Sequence, residues 1–348
     1  MDDEKIMALA FAEAKKGIGL TWQNPVVGAV ICKDNQILAT GYHHQFGQHH
    51  AEIDALSHLQ TLKEAEGATM YVTMEPCSHF GKTPPCAKKL VAVGIKKVII
   101  GQRDPNPLVA GKGINILKDH GISVKVLNTT GELNEAYNFF YRHHRPLVTL
   151  KYAMSLDGKL NYQAGQRTRL TGDAAFADSQ TLRIANQAIL VGEKTLTVDD
   201  PKLTVRTANL PFPPIRIGLV NNADKLPLSA QLFQQEAPVW LLTRTKSTRQ
   251  WPKFVRVFQD QTWTPQTIVE FLAKQGIQSL LVEGGSHVLA AFTAADLADR
   301  LQVYLAPLIL GGGGLPAVFG KAASTIEKFK PIKVRQLGSD VVITAGRD

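Results

Sequence analysis

Four residues in the first quarter of the chain have the types and the spacing of a catalytic zinc site. His50, Cys77 and Cys86 offer one imidazole and two thiolates, a ligand set that suits Zn²⁺ and leaves its fourth tetrahedral position open to water. Glu52 follows His50 by two residues and could carry protons between that water and a leaving amine. Zinc nucleobase deaminases use such a set, so the pattern predicts a hydrolytic deaminase.

A pair of buried structural cysteines beside a surface histidine is the alternative explanation, because a free cysteine often serves as a small core residue. Residues 78–85 separate Cys77 from Cys86, which is a longer interval than in the usual Pro-Cys-x-x-Cys form. A bare His-x-Glu is frequent by chance. The four residues together favour the metal site.

The elements predicted around these residues bring them to one place. His50 opens a helix with apolar residues at 51, 53, 55, 56 and 59, and residues 68–74 form a strand that ends at the Glu-Pro-Cys turn. A two-residue offset in a regular helix separates side chains by about 200°. His50 and Glu52 therefore converge only if His50 lies at the irregular first turn.

Strand-like and helix-like segments alternate through the rest of the first half. Apolar strands are predicted at 26–31, 37–41, 98–101 and 124–127, and helices are predicted near 6–14, 88–93, 114–120 and 132–141. This alternation is typical of a three-layer α/β domain, with its boundary at 142–146.

Composition limits the classes of protein to consider. A chain of 348 residues is long enough for two domains, and 44% hydrophobic with 20% charged residues is ordinary for a soluble globular protein. No apolar run approaches the roughly 20 residues needed to cross a bilayer, and the acidic residues 2–4 do not resemble a signal peptide. Three cysteines indicate a reducing, cytoplasmic location.

The net charge of +9 lies mainly in the second half of the chain. Residues 1–146 carry 16 Lys or Arg against 14 Asp or Glu, a net of +2, and residues 147–348 carry 23 against 16, a net of +7. A nucleic-acid-editing deaminase would be expected to carry its basic surface on the deaminase half. The distribution favours phosphorylated small ligands over nucleic acid.

The second half contains two features that could bind an anionic ligand. Lys151 lies in the strand-like segment 147–154, where it would lose hydration unless it has a partner; an edge-strand lysine that faces water is the alternative. Residues 279–286 predict a strand, a Gly-Gly turn and a helix start. Such a turn can bind phosphate, although tight turns use glycine for backbone reasons alone.

Several short segments also occur in an order that is specific to one family. They are 24–28, 41–43, 50–52, 71–79, 81–86 and 104–107, followed by Lys-x-x-x-Ser-Leu-Asp-Gly from residue 151. Together they resemble the bifunctional riboflavin-biosynthesis deaminase/reductase family, to which the loop Cys-Ser-His-x-Gly-x-Thr-Pro-Pro-Cys is particular among zinc deaminases. The resemblance covers nearly the whole chain.

The resemblance implies an α/β protein with two domains. Residues 1–146 would form a three-layer cytidine-deaminase-like domain that uses Zn²⁺, and residues 147–348 a dihydrofolate-reductase-like domain that uses NADPH. The expected activities are deamination of 2,5-diamino-6-ribosylamino-4(3H)-pyrimidinone 5′-phosphate and reduction of its ribosyl chain to ribityl. The resemblance also implies a homo-oligomer, with no nucleic-acid or membrane partner.

Site residues follow from position-matched resemblance. The deaminase substrate would contact Asn24, His43, Lys82, Thr83 and Asn106. The reductase substrate would contact Lys151, Arg167, Arg183, Leu203, Arg206 and Glu283. NADPH would contact Ala153, Arg169, Thr195, Asp199, Gly285, Ser286, His287, Val288, Leu289, Ala290 and Ala291. For Asn24, a turn-forming Asn-Pro pair is the alternative role.

One triplet departs from the family pattern. The family usually carries Trp-Ile-Thr where this chain has Arg169-Leu170-Thr171. Arg169 could stack on the cofactor or pair with a phosphate, or the change could weaken NADPH binding. A deaminase whose second domain is not catalytic is the alternative that this departure raises.

Overall fold

A computed structural model describes residues 2–78, 85–320 and 328–347. The chain divides into two compact units, Met1–His144 and Arg145–Asp348. The expected domain boundary after residue 146 stays a prediction, and it lies two residues beyond this division. In the described part of the chain, no helix combines the length and the apolar character needed to span a bilayer.

The first unit is built on a five-stranded sheet. Its elements are α1 (Asp3–Lys15), β1 (Gly28–Lys33), β2 (Gln36–Tyr42), α2 (Ala51–Ser57), a 3₁₀ turn (Leu62–Ala65), β3 (Thr69–Met74), α3 (Cys86–Ala92), β4 (Lys97–Gln102), α4 (Lys112–Asp119), β5 (Ser123–Val126) and α5 (Glu135–His143). The strand order is β2-β1-β3-β4-β5. Strands β3, β4 and β5 are parallel, and β1 runs antiparallel to both of its neighbours.

Helices cover both faces of this sheet. Ile31 and Val72 pack in one core with residues of α2, α3 and α4, whereas Val30 and Tyr71 pack on the opposite face with residues of α1. Successive strand side chains point to opposite faces, so burial on both sides makes β1 and β3 continuous apolar runs. The expected three-layer α/β arrangement is confirmed.

The second unit is built on a nine-stranded sheet. Its elements are β6 (Leu147–Ser155), α6 (Asp173–Ile184), β7 (Ala188–Gly192), α7 (Glu193–Asp199), β8 (Ile215–Val220), two 3₁₀ turns (Ala223–Lys225 and Gln231–Phe233), β9 (Val239–Thr243), β10 (Val255–Gln259), α8 (Pro265–Lys274), β11 (Ser279–Val282), α9 (Ser286–Ala294), β12 (Arg300–Ala306), β13 (Lys330–Leu337) and β14 (Asp340–Gly346). The order is β10-β9-β8-β7-β11-β6-β12-β14-β13. The seven neighbouring strands β10-β9-β8-β7-β11-β6-β12 are all parallel to one another. Strand β14 is antiparallel to both of its neighbours, β12 and β13.

Helix α6 is shorter than the sequence pattern suggested. From the sequence we expect a helix from Asp173 to Ala188, and the observed helix ends at Ile184. The Asn186 side chain donates to the Leu182 carbonyl (2.9 Å), and the Gln187 amide donates to Ser279 Oγ (2.9 Å). The helix ends here because the Asn186 side chain satisfies a backbone carbonyl of the last turn, and the bond from the Gln187 amide directs the chain into β7.

Candidate active sites

The first site forms where α2 begins. His50 is the N-cap of this helix, with extended backbone angles (φ −72°, ψ 161°), and Glu52 lies in the first turn. Because His50 lies outside the regular helix, its imidazole and the Glu52 carboxylate reach the same cavity. The irregular first turn that allows His50 and Glu52 to converge is therefore present.

The donor atoms of His50, Cys77 and Cys86 form a compact triangle. Nδ1 of His50 lies 3.5 Å from Sγ of Cys77 and 3.4 Å from Sγ of Cys86, and all the candidate ligand atoms lie within 4.8 Å of one another. Zn–N and Zn–S bonds of about 2.0 and 2.3 Å at a tetrahedral angle separate nitrogen from sulfur by about 3.5 Å. The residues present fit a zinc ion.

The Cys77 thiol is set up to ionise. Hydrogen bonds from the Cys86 thiol and from His50 hold the pKa of the Cys77 thiol well below its ordinary value. The backbone amide of Cys86, the first residue of α3, also donates to Cys77 Sγ (3.3 Å). The site thus favours a thiolate, which is the form that binds metal.

Glu52 is the buried carboxyl group of this site. It is 3% exposed, and burial raises the pKa of its carboxyl to about 7. A nearby divalent cation would lower that pKa again, because opposite charge favours the ionised form. A carboxyl balanced between these two effects can both accept and release a proton near neutral pH.

A cavity of about 360 Å³ opens onto the metal ligands and contains three of the predicted substrate residues. Asn24 and His43 are joined by a hydrogen bond between Nδ2 and Nε2 (3.1 Å). Nδ1 of His43 lies 2.9 Å from the His49 carbonyl, and a carbonyl can only accept, so this nitrogen carries the proton. Neutral His43 then accepts from Asn24, which leaves the Asn24 oxygen available to a substrate donor.

The third predicted residue, Asn106, lies on the loop after β4. Its side-chain amide donates to the Tyr141 hydroxyl (3.2 Å), and its backbone amide donates to the carboxylate of Asp104 (2.8 Å). Asp104 also accepts from the Tyr137 hydroxyl (3.0 Å). Helix α5 therefore holds this loop through two tyrosines.

Lys82 and Thr83, which were also predicted to bind substrate, lie outside the described residues. Sequence reasoning missed several residues that line the cavity, among them Glu75, Asp104, Tyr137 and Tyr141. The spacing of Tyr137 and Tyr141 was an available signal, because residues four apart share one face of a helix.

The second site lies in the second unit and is organised around a buried carboxylate. Glu283 accepts two hydrogen bonds from the Arg183 guanidinium (3.0 and 2.6 Å), and Arg183 also donates to the Thr204 carbonyl (2.9 Å). The Lys151 ammonium lies 5.4 Å from the centre of the Tyr304 ring. Burial lowers the pKa of Lys151, and the charge of Glu283 opposes that effect.

Further arginines extend this cationic cluster. The Arg206 guanidinium stacks over the Phe176 ring, 4.7 Å from its centre. Burial and the charges of Arg183 and Arg167 lower the pKa of Arg206. Arg167 itself donates to the Asp199 carbonyl (3.4 Å). The cations outnumber the carboxylates, which suits a phosphorylated ligand.

Leu203 has a role different from that of its charged neighbours. Its side chain is 2% exposed and packs in the hydrophobic core, and its φ of +54° is unusual for a residue with a branched side chain. A substrate contact at this position would therefore use the main chain.

The predicted cofactor segment begins at the turn between β11 and α9. Gly285 is the N-cap of α9, and its amide donates to Thr195 Oγ1 (3.0 Å). A Cβ on Gly284 would lie 2.8 Å from Cβ of Val288, so close packing of the turn on its own helix explains that glycine. Burial raises the pKa of Asp199, which is the last residue of α7.

The substituted triplet lies at the surface. Arg169 forms a salt bridge with Asp173, and its Nε donates to the Thr171 carbonyl (3.2 Å). Both charged side chains are largely exposed. Arg169 is thus held by its own local turn and by the start of α6.

Two sequence families match the two halves of the chain. The RibD C-terminal domain matches residues 146–343, and the cytidine and deoxycytidylate deaminase zinc-binding region matches residues 1–102. The chain is 38% identical to riboflavin biosynthesis protein RibD of Bacillus amyloliquefaciens, over 99% of this chain and 96% of that protein. It is 36% identical to the RibD protein of Escherichia coli strain K12, over 99% of each chain.

Solved structures agree over the same length. Acinetobacter baumannii RibD matches with a TM-score of 0.89 at 35% identity, over 99% of this chain and 98% of that one. A Thermotoga maritima structure, described as a diaminohydroxyphosphoribosylaminopyrimidine deaminase/5-amino-6-(5-phosphoribosylamino)uracil reductase, matches with a TM-score of 0.90 at 34% identity, over 99% of each chain.

Proposed function

This chain belongs to the RibD family of riboflavin biosynthesis proteins, and from that membership we propose roles for the residues of its two sites. The protein is a bifunctional enzyme with a zinc-dependent deaminase domain and an NADPH-dependent reductase domain. It removes an amino group from the phosphorylated diaminopyrimidinone and then reduces the ribosyl chain to ribityl. A nucleic-acid-editing deaminase and a non-catalytic second domain are not favoured.

In the deaminase site, His50, Cys77 and Cys86 hold zinc. When bound, zinc supplies the Lewis acidity that makes water a nucleophile near neutral pH. Glu52 accepts a proton as water attacks C2 of the pyrimidinone and delivers it to the departing amine, so that ammonia leaves. The raised pKa of buried Glu52 supports this exchange.

The substrate of this site is held by five residues: Asn24, His43, Asn106, Lys82 and Thr83. Asn24 accepts a hydrogen bond from the substrate through its oxygen, since its nitrogen is engaged with His43. His43 acts through Asn24, because both of its ring nitrogens already have partners. Asn106 lines the same cavity on the side of α5.

In the reductase site, NADPH supplies the hydride. Arg206 binds the phosphate of the substrate, because guanidinium forks match phosphate geometry. Arg183, whose own fork is held by Glu283, and Arg167 add positive charge to this phosphate site. Lys151 and Glu283 each contact the substrate, and Leu203 contacts it through the main chain. NADPH contacts Ala153, Arg169, Thr195, Asp199, Gly285, Ser286, His287, Val288, Leu289, Ala290 and Ala291.

The cluster of three candidate metal donors, two of which line the same cavity as Glu52, is the observation that carries the deaminase assignment. The test supplies the diaminopyrimidinone phosphate with and without NADPH and identifies the products by mass. Without NADPH, one amino group should be replaced by oxygen. With NADPH, the product should also gain a hydride and a proton. NADPH oxidation that needs no deaminated substrate would contradict the order of the two steps.

We also propose that the protein works in the cytoplasm as a homo-oligomer, without a nucleic-acid partner. The small excess of basic residues in the deaminase half supports the last point. Light scattering of the purified chain should give a mass above that of one chain, and salt-dependent RNA binding would contradict the proposal.

A further inference from the structure

Glu75 belongs to the turn that carries Cys77 (residues 75–77), here called the metal-ligand turn, and it joins this turn to the loop that carries Asn106. It is 4% exposed and lies two residues before Cys77. Its carboxylate accepts from the backbone amides of Asp104 (3.4 Å) and Gly111 (3.0 Å) through one oxygen. The other oxygen accepts from the amide of Ile114 (3.2 Å).

These bonds give α4 a helix cap from a distant part of the chain. Gly111 is the N-cap of α4, has a φ of +77° and provides no side-chain cap of its own. The orphan amide of Ile114, in the first turn, is satisfied by Glu75 instead. The start of α4 is therefore tied to the end of β3.

Close packing fixes the same junction. A Cβ on Gly113 would lie 1.9 Å from the Pro76 carbonyl oxygen, so the backbone of α4 lies directly against the metal-ligand turn. Between the two attachments, at Asp104 and at Gly111, the loop presents Asn106 to the cavity. On this side of the loop, the Glu75 carboxylate and the helix contact at Gly113 set the position of Asn106 relative to Cys77; on the other side, the tyrosines of α5 hold it.

We propose that Glu75 is a positioning residue of the deaminase, which sets the substrate loop 104–111 in register with the metal centre. The proposal rests on the substrate role given above to Asn106. Glu52, His50 and Cys86 lie on α2 and α3 or at their starts, outside this loop. Loss of Glu75 therefore weakens substrate binding and leaves the chemical step largely intact.

The test is Glu75→Gln in the full chain. Glutamine keeps the shape but offers one acceptor oxygen and turns an amide donor toward backbone N–H groups. The expected result is a rise of about 10-fold or more in the deaminase KM, with kcat within about threefold and with zinc content unchanged. Amide hydrogen exchange at Gly111 and Ile114 should accelerate. Retained zinc reports that the deaminase unit has folded, and reductase activity of the same preparation reports folding of the second unit.

Glu64→Gln is the matched control, because Glu64 also caps a short helix of the first unit and accepts from the Thr61 amide (2.9 Å). It should leave the deaminase KM unchanged. An unchanged KM in Glu75→Gln would overturn the proposal, and so would loss of zinc in step with activity. Should Glu75→Gln fail to fold, Glu75→Asp keeps the charge but withdraws the carboxylate from its amide partners, and it must raise KM likewise.

Asn106→Ala separates this inference from the function on which it rests. If Asn106→Ala raises KM and Glu75→Gln does not, the positioning role is wrong and the substrate role stands. If Asn106→Ala leaves KM unchanged, the proposed substrate role of Asn106 is wrong.

Discussion

Glu52 in the first unit and Glu283 in the second are both almost completely buried, yet the pKa values of their carboxyls move in opposite directions. For Glu52, burial dominates and raises the pKa to about 7. Burial acts on Glu283 in the same direction, but the charges of Arg183 and Lys151 outweigh it and hold the pKa below its ordinary value.

This difference reflects what each site must do. A group that exchanges protons during a reaction needs a pKa near the working pH, and at the metal site burial of Glu52 outweighs the opposing charge of His50 and moves the pKa in that direction. A site that binds a phosphorylated substrate and a hydride donor needs fixed charges, so Glu283 stays ionised to hold its cations in place.

Among the substitutions that test this contrast between Glu52 and Glu283, Glu52→Gln should have the largest effect. Glutamine cannot accept a proton, so deaminase kcat should fall by about 10³-fold or more, while zinc content and reductase activity remain. Ammonia release, metal analysis and NADPH oxidation on one preparation provide the three measurements. Full deaminase turnover in this variant would show that another group moves the protons.

Glu283→Gln should act mainly on stability. Removal of one partner leaves Arg183 and Lys151 buried without compensation, which should cost about 3–5 kcal/mol in the free energy of unfolding of the second unit. Because the folded pKa of Glu283 lies below its ordinary value of 4.5, its stabilising effect is complete above that pH and is lost as the pH falls through the folded pKa. Denaturant melts should therefore show a gap between variant and parent at neutral pH that closes in acid.

Arg206→Ala distinguishes the two sites by substrate. Loss of a guanidinium contact to phosphate should raise the reductase KM by about 10- to 100-fold and spare the deaminase. Arg256→Ala is the matched control, since Arg256 also stacks on an aromatic ring, 5.5 Å from the centre of Trp240, and lies exposed on β10. Equal effects of the two substitutions would contradict a phosphate contact at Arg206.

Arg169→Ala should give the smallest change. The salt bridge to Asp173 is exposed and contributes little to stability, and Asp173 offsets the charge that Arg169 would offer to a phosphate. The KM for NADPH should rise by about threefold or less. Asp173→Ala frees Arg169 and should not raise that KM; a rise there would show that Asp173, rather than Arg169, supports cofactor binding.

Local spacing was sufficient for much of the deaminase half. The apolar runs of β1, β3 and β4 and the segment His50-x-Glu52 are short and continuous, so sequence patterns identified them directly. The predicted end of α6 was wrong, because the Asn186 side chain and the Gln187 backbone amide form hydrogen bonds that the spacing of apolar residues does not reveal. Tyr137 and Tyr141 were missed because their partners, Asp104 and Asn106, lie more than thirty residues away.

The sequence alone determined the chemistry that is available: a soft metal-ligand set, a proton-carrying glutamate and a family order of motifs that covers nearly the whole chain. Only the tertiary structure decided how those groups are tuned. Burial and charge neighbours set the pKa values of Glu52 and Glu283 in opposite directions, and Glu75 acquired three amide partners from a loop distant in sequence. Desolvation and long-range hydrogen bonds depend on which atoms meet in space, and residue types in order do not specify that.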